Sequence, residues 1–466
     1  MSTARNKISM ALGACVMLAL TACSGLKPCK SPDLNLPDRI ASGANDSLSL
    51  ADMEWWEIYT DTCLTSIIRE TLDNNRDFGA AAARVEELSR LYGASTADLF
   101  PTIGFNAYGN QETYDYSRSD KVVDPEYGLK ATLSWEIDLF GALRQARKGA
   151  GARYRASIED YRALQTALIA SCASGYFSLM ALDNELAIVR RTLVTREENL
   201  RMARLRYEGG LTPETTYRQA EVEYATTAAM IPNLERRITE AQNALCVLMG
   251  RFPGEAVRRS MMPMDGLDYS DIPVGAPSVL LERRPDIRSA SQNLAASMAA
   301  VGVAYANRFP SLRINLHGGV ENDEMPHFFK SPFTYVAGQL AGPLFDFGNR
   351  RRKYQAAIAA YDRTRLQYEQ TVIRAFTEVN NAVISYRKMR ETTALRRTLR
   401  EAAGKYVELA HVQYRAGAIN YIDVLDAQRR YFDAQIGVAN AVRDEYICLI
   451  TLYKALGGGW NYTENK

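Results

Sequence analysis

Histidine is scarce in this chain, with only His317, His327 and His411 among 466 residues. No Ser-His-Asp set, HExxH, P-loop or GxGxxG accompanies them, so no enzyme is expected. The seven cysteines show no CxxC spacing, which excludes a disulfide framework and a zinc site. Cys29, Cys63, Cys172, Cys246 and Cys448 read instead as small core residues. Met261, Met262 and Met264 cluster, but no His or Cys converges on them, so neither a metal nor a cofactor is expected. A charge excess is missing too: the net charge is +2, with no nucleic-acid footprint and no acidic tail. Outside the N-terminus no run of 18 apolar residues occurs, which excludes an ordinary transmembrane helix.

What is present begins with an export signal at 1–22. Arg5 and Lys7 precede a short apolar core, Ile8 to Leu20. The sequence Leu20-Thr21-Ala22-Cys23 is similar to a bacterial lipoprotein lipobox. That implies cleavage before Cys23 and lipidation, palmitate included, at its sulfur and amino group. Each buried methylene would add ~0.8 kcal/mol of anchoring. A plain signal peptide with a coincidental cysteine is the alternative. Ser24, rather than aspartate, implies sorting to the outer membrane. Residues 23–54 are rich in Ser, Pro, Asp and Asn and read as a linker; Trp55 and Trp56 open the ordered part.

The rest is one unit written twice. Tyr207 and Tyr414, Gly210 and Gly417, Phe140 and Phe347, Gly250 and Gly457 are each 207 positions apart, since 414 − 207 = 207 and so on for every pair. Repeat 1 spans 55–250: a helix from Thr65 to Leu99, strands at about 102–112 and 127–140, and a helical hairpin at 142–249. A proline-rich connector, 251–280, leads to repeat 2 at 281–458, with strands at about 311–320 and 334–346 and a hairpin at 349–456; a tail, 459–466, follows.

Period decides the element types. Leu129 to Leu139 alternates apolar and polar residues over eleven positions. That matches a membrane-spanning strand of ~9–11 residues better than a soluble strand of ~5–6. Ala142 to Glu208 and Asn349 to Ala416 lack proline, and 67 helical residues would reach ~100 Å. Leu164, Leu168, Cys172, Gly175, Leu179, Leu182 and Leu186 step by 4 and 3, a coiled-coil period. Gly209-Gly210 ends the first long helix, Thr212 reads as the next N-cap with Pro213 at N1, and Pro232 should kink the returning helix. Four amphipathic strands cannot close a barrel alone, because open edges in lipid cost several kcal/mol per unpaired group. Two chains would supply eight strands and three would supply twelve.

Several stretches carry a resemblance: LSWEIDLFG, GPLFDFGNRRR, LERRPDIR, YRAGAINYIDVLDAQRR and LYKALGGGW. With the lipobox, they resemble the TolC family of outer-membrane efflux ducts, its lipoprotein branch in particular. The resemblance implies a mainly α protein with membrane β, a homotrimer whose 12-stranded barrel sits on an α-helical barrel. It implies passive export, with a periplasmic adaptor and an inner-membrane efflux transporter as partners. The alternative is a periplasmic coiled-coil scaffold or adaptor lipoprotein without a pore.

The same resemblance puts the periplasmic aperture on Ile422, Asp426 and Arg429, spaced i, i+4, i+7 on one helix face, with Asp423 adding to an acid ring. A solvated helix face is the plainer reading of those charges. Thr215, Thr216, Gln219 and Val222 occupy the uncharged twin face. Tyr207, Gly210, Tyr414 and Gly417 shape the adaptor-facing hairpin tips. Arg350 to Lys353, echoed by Arg144, Arg147 and Lys148, read as a charged collar below the membrane.

Overall fold

The computed structural model describes residues 29, 32, 61–114, 122–261, 283–343 and 345–459. Cys23, Trp55, Trp56, Met262 and Met264 lie outside them. Two compact units emerge, one bearing the strands (84–158 and 289–370) and one (35–83, 159–288 and 371–466) whose described elements are all helices.

The strand unit holds β1 (Thr102–Tyr114), β2 (Val122–Ile137), β3 (Ser311–Asn322) and β4 (Pro332–Ala341). They form one sheet in the order β1-β2-β3-β4, each pair antiparallel. A short 3-10 turn, Met325–Lys330, joins β3 to β4. Strands β2 and β4 stop at Ile137 and Ala341, before the expected ends at 140 and 346. The reason is capping. Asp138 accepts from the amides of Leu143 and Arg144 at 3.0 and 2.9 Å, and Asp346 accepts from those of Gly348 and Arg350 at 2.9 and 3.0 Å. Each aspartate satisfies orphan donors of the helix that follows, so the chain must leave the sheet to reach it.

The helices come in matched pairs. α1 (Thr62–Asn74) and α2 (Arg76–Ala97) precede β1; α3 (Ala142–Glu208) and α4 (Glu214–Leu248) form the first hairpin. α5 (Pro285–Ala306) precedes β3; α6 (Asn349–Arg415) and α7 (Tyr421–Ala455) form the second. α3 and α6 both have 67 residues, and α4 and α7 both have 35. Gly141, Gly210 and Gly250 take positive φ, as do Gly348, Gly417 and Gly457, their partners 207 positions on. The repeat therefore extends to backbone conformation at the breaks, where a Cβ would be strained.

Two sequence expectations need correction. The helix expected over Thr65 to Leu99 breaks at Asn75, whose backbone is extended. Its side chain accepts from the Phe78 amide at 2.9 Å and donates to the Leu248 carbonyl at 2.9 Å. One residue thus starts α2 and closes the end of α4, a tertiary bond no local pattern encodes. At the first tip the N-cap is Pro213 and not Thr212, whose hydroxyl is buried without a partner.

The core of the helical unit joins both repeats. Leu64 and Ile68 of α1, Tyr176 and Leu179 of α3, Leu245 of α4, Val379 and Val383 of α6, and Val442 and Leu449 of α7 are all buried in one cluster. Cys172, Leu179, Leu182 and Val189 line its seam as the 4-and-3 stepping requires. An 18-residue window of α3 reaches a mean hydropathy of 1.2, and half of it is buried within the protein, as a core helix would be. Burial pushes the Cys172 thiol up to about 11, consistent with an inert core cysteine.

Candidate functional site: an amphipathic sheet and a charged hairpin tip

Register makes the sheet two-faced. Across the four strands Ile103 pairs with Leu133, Leu133 with Leu316, and Leu316 with Val336. Four residues along, Ala107, Leu129, Val320 and Pro332 form another apolar row. The opposite face carries Thr102, Ser134 and Asn315 in one row and Gly104, Thr132 and His317 in the next. Its side chains bond across the strands. Ser134 donates to Asn315 at 2.9 Å, His317 Nδ1 lies 3.1 Å from the Thr132 hydroxyl, and Arg313 pairs with Glu136 at 2.9 Å. Because side chains alternate with period two, a slip by one residue would invert every row.

The apolar face has no cover among the described residues. Phe105 is 84% exposed and Val336 71%. Phe100, Trp135 and Phe345, at and beyond the strand ends, add exposed aromatic surface. An uncovered apolar face flanked by aromatics, opposite a hydrogen-bonded polar face, is the surface pattern of a barrel strand in lipid.

The two hairpin tips share one geometry. The Leu211 amide donates to the Arg206 carbonyl and the Gly210 amide to that of Tyr207, at 2.8 and 2.9 Å. Ala418 and Gly417 repeat this with Gln413 and Tyr414 at 2.9 and 3.0 Å. Both are Schellman turns, with glycine at φ 69° and 74°. Tyr207 stacks on Tyr217, and Tyr414 sits against Tyr421. Beneath the second tip Ala410, Val424 and Ala427 form a small buried cluster. Burial, with Tyr414 adding to it and Arg206 opposing it, pushes the Tyr421 phenol up to about 12.

On α7 the candidate aperture residues divide by role. Ile422 is 52% exposed. Asp426 bonds Arg429 through one carboxylate oxygen and Arg430 through the other, each at 2.7 Å. Arg430 first, then Arg429, hold its carboxyl below the usual aspartate range. Asp423 is spent differently: it accepts from the Asn420 amide at 3.0 Å, half of a capping box that starts α7. On the twin face Val222 is exposed, and Glu214 and Glu221 are both bridged by Arg218.

Sequence reasoning missed four residues here. Arg430 completes the Asp426 clamp, although its i, i+4 spacing could have suggested it. Arg206 reaches across from the first hairpin to the Tyr414 hydroxyl, at 2.5 Å. Gln428 receives from Asn199 at 3.2 Å and meets His411 Nε2 at 3.1 Å, so it joins α3, α6 and α7. Arg196, buried in α3, bonds the Glu223 carbonyl at 2.8 Å and lies over the Phe432 ring.

Comparison with known proteins agrees with this geometry. Residues 67–251 and 276–458 match the family described as outer membrane efflux protein. The solvent efflux pump outer membrane protein SrpC of Pseudomonas putida is 31% identical over 91% of each chain. The cation efflux system protein CusC of Escherichia coli is 26% identical over 96% of this chain and 98% of its own. The solved outer-membrane channel OprN superposes with a TM-score of 0.84 at 28% identity, covering 92% of this chain and 99% of that one. The two-faced sheet, the paired long hairpins and these matches lead to one conclusion: the chain belongs to the outer membrane efflux protein family, and is an outer-membrane component of an efflux pump.

Proposed function

We propose that three copies of this chain close a twelve-stranded barrel and act as the passive exit duct of a tripartite pump. The observation that carries this is the sheet itself. It has one apolar face, one polar face and two open edges, and open edges in lipid leave backbone groups unpaired at several kcal/mol each. Three copies of the polar face would then line a water-filled pore. The chain performs no catalysis of its own; a periplasmic adaptor engages the tips at Tyr207, Gly210, Tyr414 and Gly417, and an inner-membrane transporter supplies the energy. Cys23 carries the lipid anchor.

In such a trimer Ile422, Asp426 and Arg429 repeat three times around the axis, as apolar, acidic and basic rings that narrow the periplasmic end. Asp423 supports them by fixing the start of α7. Cargo is set by the transporter, which accords with the range of relatives, from a solvent pump to a cation system. The test is to purify the lipidated protein from outer membranes and reconstitute it in planar bilayers. A trimeric mass together with discrete ion-conducting steps is expected. A monomer, or a trimer that conducts nothing even with Asp426 and Arg429 replaced by alanine, would overturn the proposal.

A further inference from the structure

Repeat symmetry specifies how one copy meets the next. β1 maps onto β3 with an offset of 209, and β2 onto β4 with an offset of 207, because the register pair Ile103 and Leu133 becomes the register pair Leu312 and Leu340. β2 and β3 are the junction between repeat 1 and repeat 2 within a chain, and there Leu133 faces Leu316. The same offsets carry β2 onto β4, and carry β3 back onto the β1 of another copy. β4 and β1 are the two edge strands, each with one neighbour in the sheet.

We infer that Leu340 of one protomer lies directly opposite Ala107 of the next, which fixes the register of the β4–β1 seam between chains. The inference rests on the three-copy barrel proposed above. Face parity agrees with it. Leu340 and Ala107 both lie in apolar rows, while the adjacent pair, Gln339 and Tyr108, both lie on the polar face.

A second observation lies just beyond the strands. Within the chain Phe140 stacks on Phe309, with centroids 4.6 Å apart and planes 14° apart. Under the same offsets their counterparts are Phe347 and Phe100, which are 96% and 64% exposed. Two bare rings at the two ends of one chain's sheet are the two halves of the same stack, made between chains. Phe347 holds φ 51°, the only described non-glycine residue with positive φ, so its ring is presented by an uncommon backbone conformation.

Paired cysteines read the seam directly. Directly opposite residues have Cβ atoms ~4.5–5.5 Å apart, against ~7–8 Å for diagonal neighbours, and a disulfide requires ~3.5–4.5 Å. Outer membranes carrying Ala107→Cys with Leu340→Cys are oxidised with copper phenanthroline and resolved under denaturing conditions. Phe105→Cys with Leu340→Cys and Gly109→Cys with Leu340→Cys test a slip of two residues either way. The single variants control for the native thiols. The expected result is a ladder to covalent trimer from Ala107 with Leu340, at least about fivefold stronger than from either slipped pair. A ladder dominated by a slipped pair, or an intact non-covalent trimer that no pair cross-links, overturns the register and leaves the three-copy barrel standing. Absence of any trimer on native gels, in the variants and the unmodified protein alike, overturns the barrel itself.

Discussion

Arg206 of the first hairpin donates to the Tyr414 hydroxyl of the second at 2.5 Å, and its guanidinium also lies over that ring. The bond ties two Schellman turns 207 residues apart in sequence. A side-chain bridge therefore links the two tips of one chain. Tyr414→Phe removes that bond and keeps the ring. An exposed hydrogen bond to a charged donor contributes about 1 kcal/mol. The expected outcome is an unchanged melting temperature with a several-fold rise in single-channel conductance or drug leakage. Identical conductance would show that the tips are independent.

The clamp on Asp426 sets a pH dependence. Arg430 and Arg429 depress its folded-state pKa. A depressed carboxylate contributes fully above its unfolded pKa of ~3.9, and the contribution is lost as pH falls through the lower folded value. Conductance should therefore stay flat from pH 8 to pH 5 and rise only below about pH 4. A transition centred near about pH 6 would contradict this assignment to Asp426.

Glycines of the same φ differ in what surrounds them. At Gly417 an added Cβ meets nothing within 4 Å, so Gly417→Ala costs only backbone strain, about 1–2 kcal/mol. At Gly250 the Cβ would stand 2.4 Å from the Asn74 carbonyl oxygen, so the backbone itself must move. Gly250→Ala should lower the melting temperature clearly more than Gly417→Ala. Equal losses would mean that the contact between α4 and the α1–α2 break relaxes freely.

Asn75 and Arg284 are counterparts that close the returning helices. Asn75 donates to the Leu248 carbonyl, and Arg284 donates to the Ala455 carbonyl at 3.0 Å, the two acceptors being 207 apart. Arg284 also binds Asp286 and Glu378, both partly exposed. Asn75→Ala loses a helix cap and should cost about 1–2 kcal/mol in denaturant unfolding. Arg284→Ala loses packing and a buried cap, whereas Arg284→Lys keeps the charge without the planar fork and should restore only part of the loss. Full rescue by lysine would reduce the site to simple charge pairing.

Much of the fold was legible because it is periodic. Proline-free runs marked α3 and α6, alternation marked β2, and the repeated glycines marked the breaks. The break at Asn75 was hidden because its acceptor, Leu248, is 173 residues away. The early ends of β2 and β4 were hidden because Asp138 and Asp346 read as strand residues until the helices they cap are seen. At the tip, i, i+3 spacing suggested the pairing of Asp426 with Arg429, but nothing local separated Asp423, a cap, from Asp426, a clamp. The bridge from Arg206 to Tyr414 joins distant segments and has no sequence signature.

The most direct measurement is single-channel conductance of the purified trimer before and after Asp426→Ala combined with Arg429→Ala. If Asp426 and its arginines hold the duct narrow, conductance of the unmodified protein is low and rises several-fold in the double variant, with no change in trimer content. Unchanged conductance in a correctly assembled double-variant trimer would contradict the account and leave these charges as a solvated helix face.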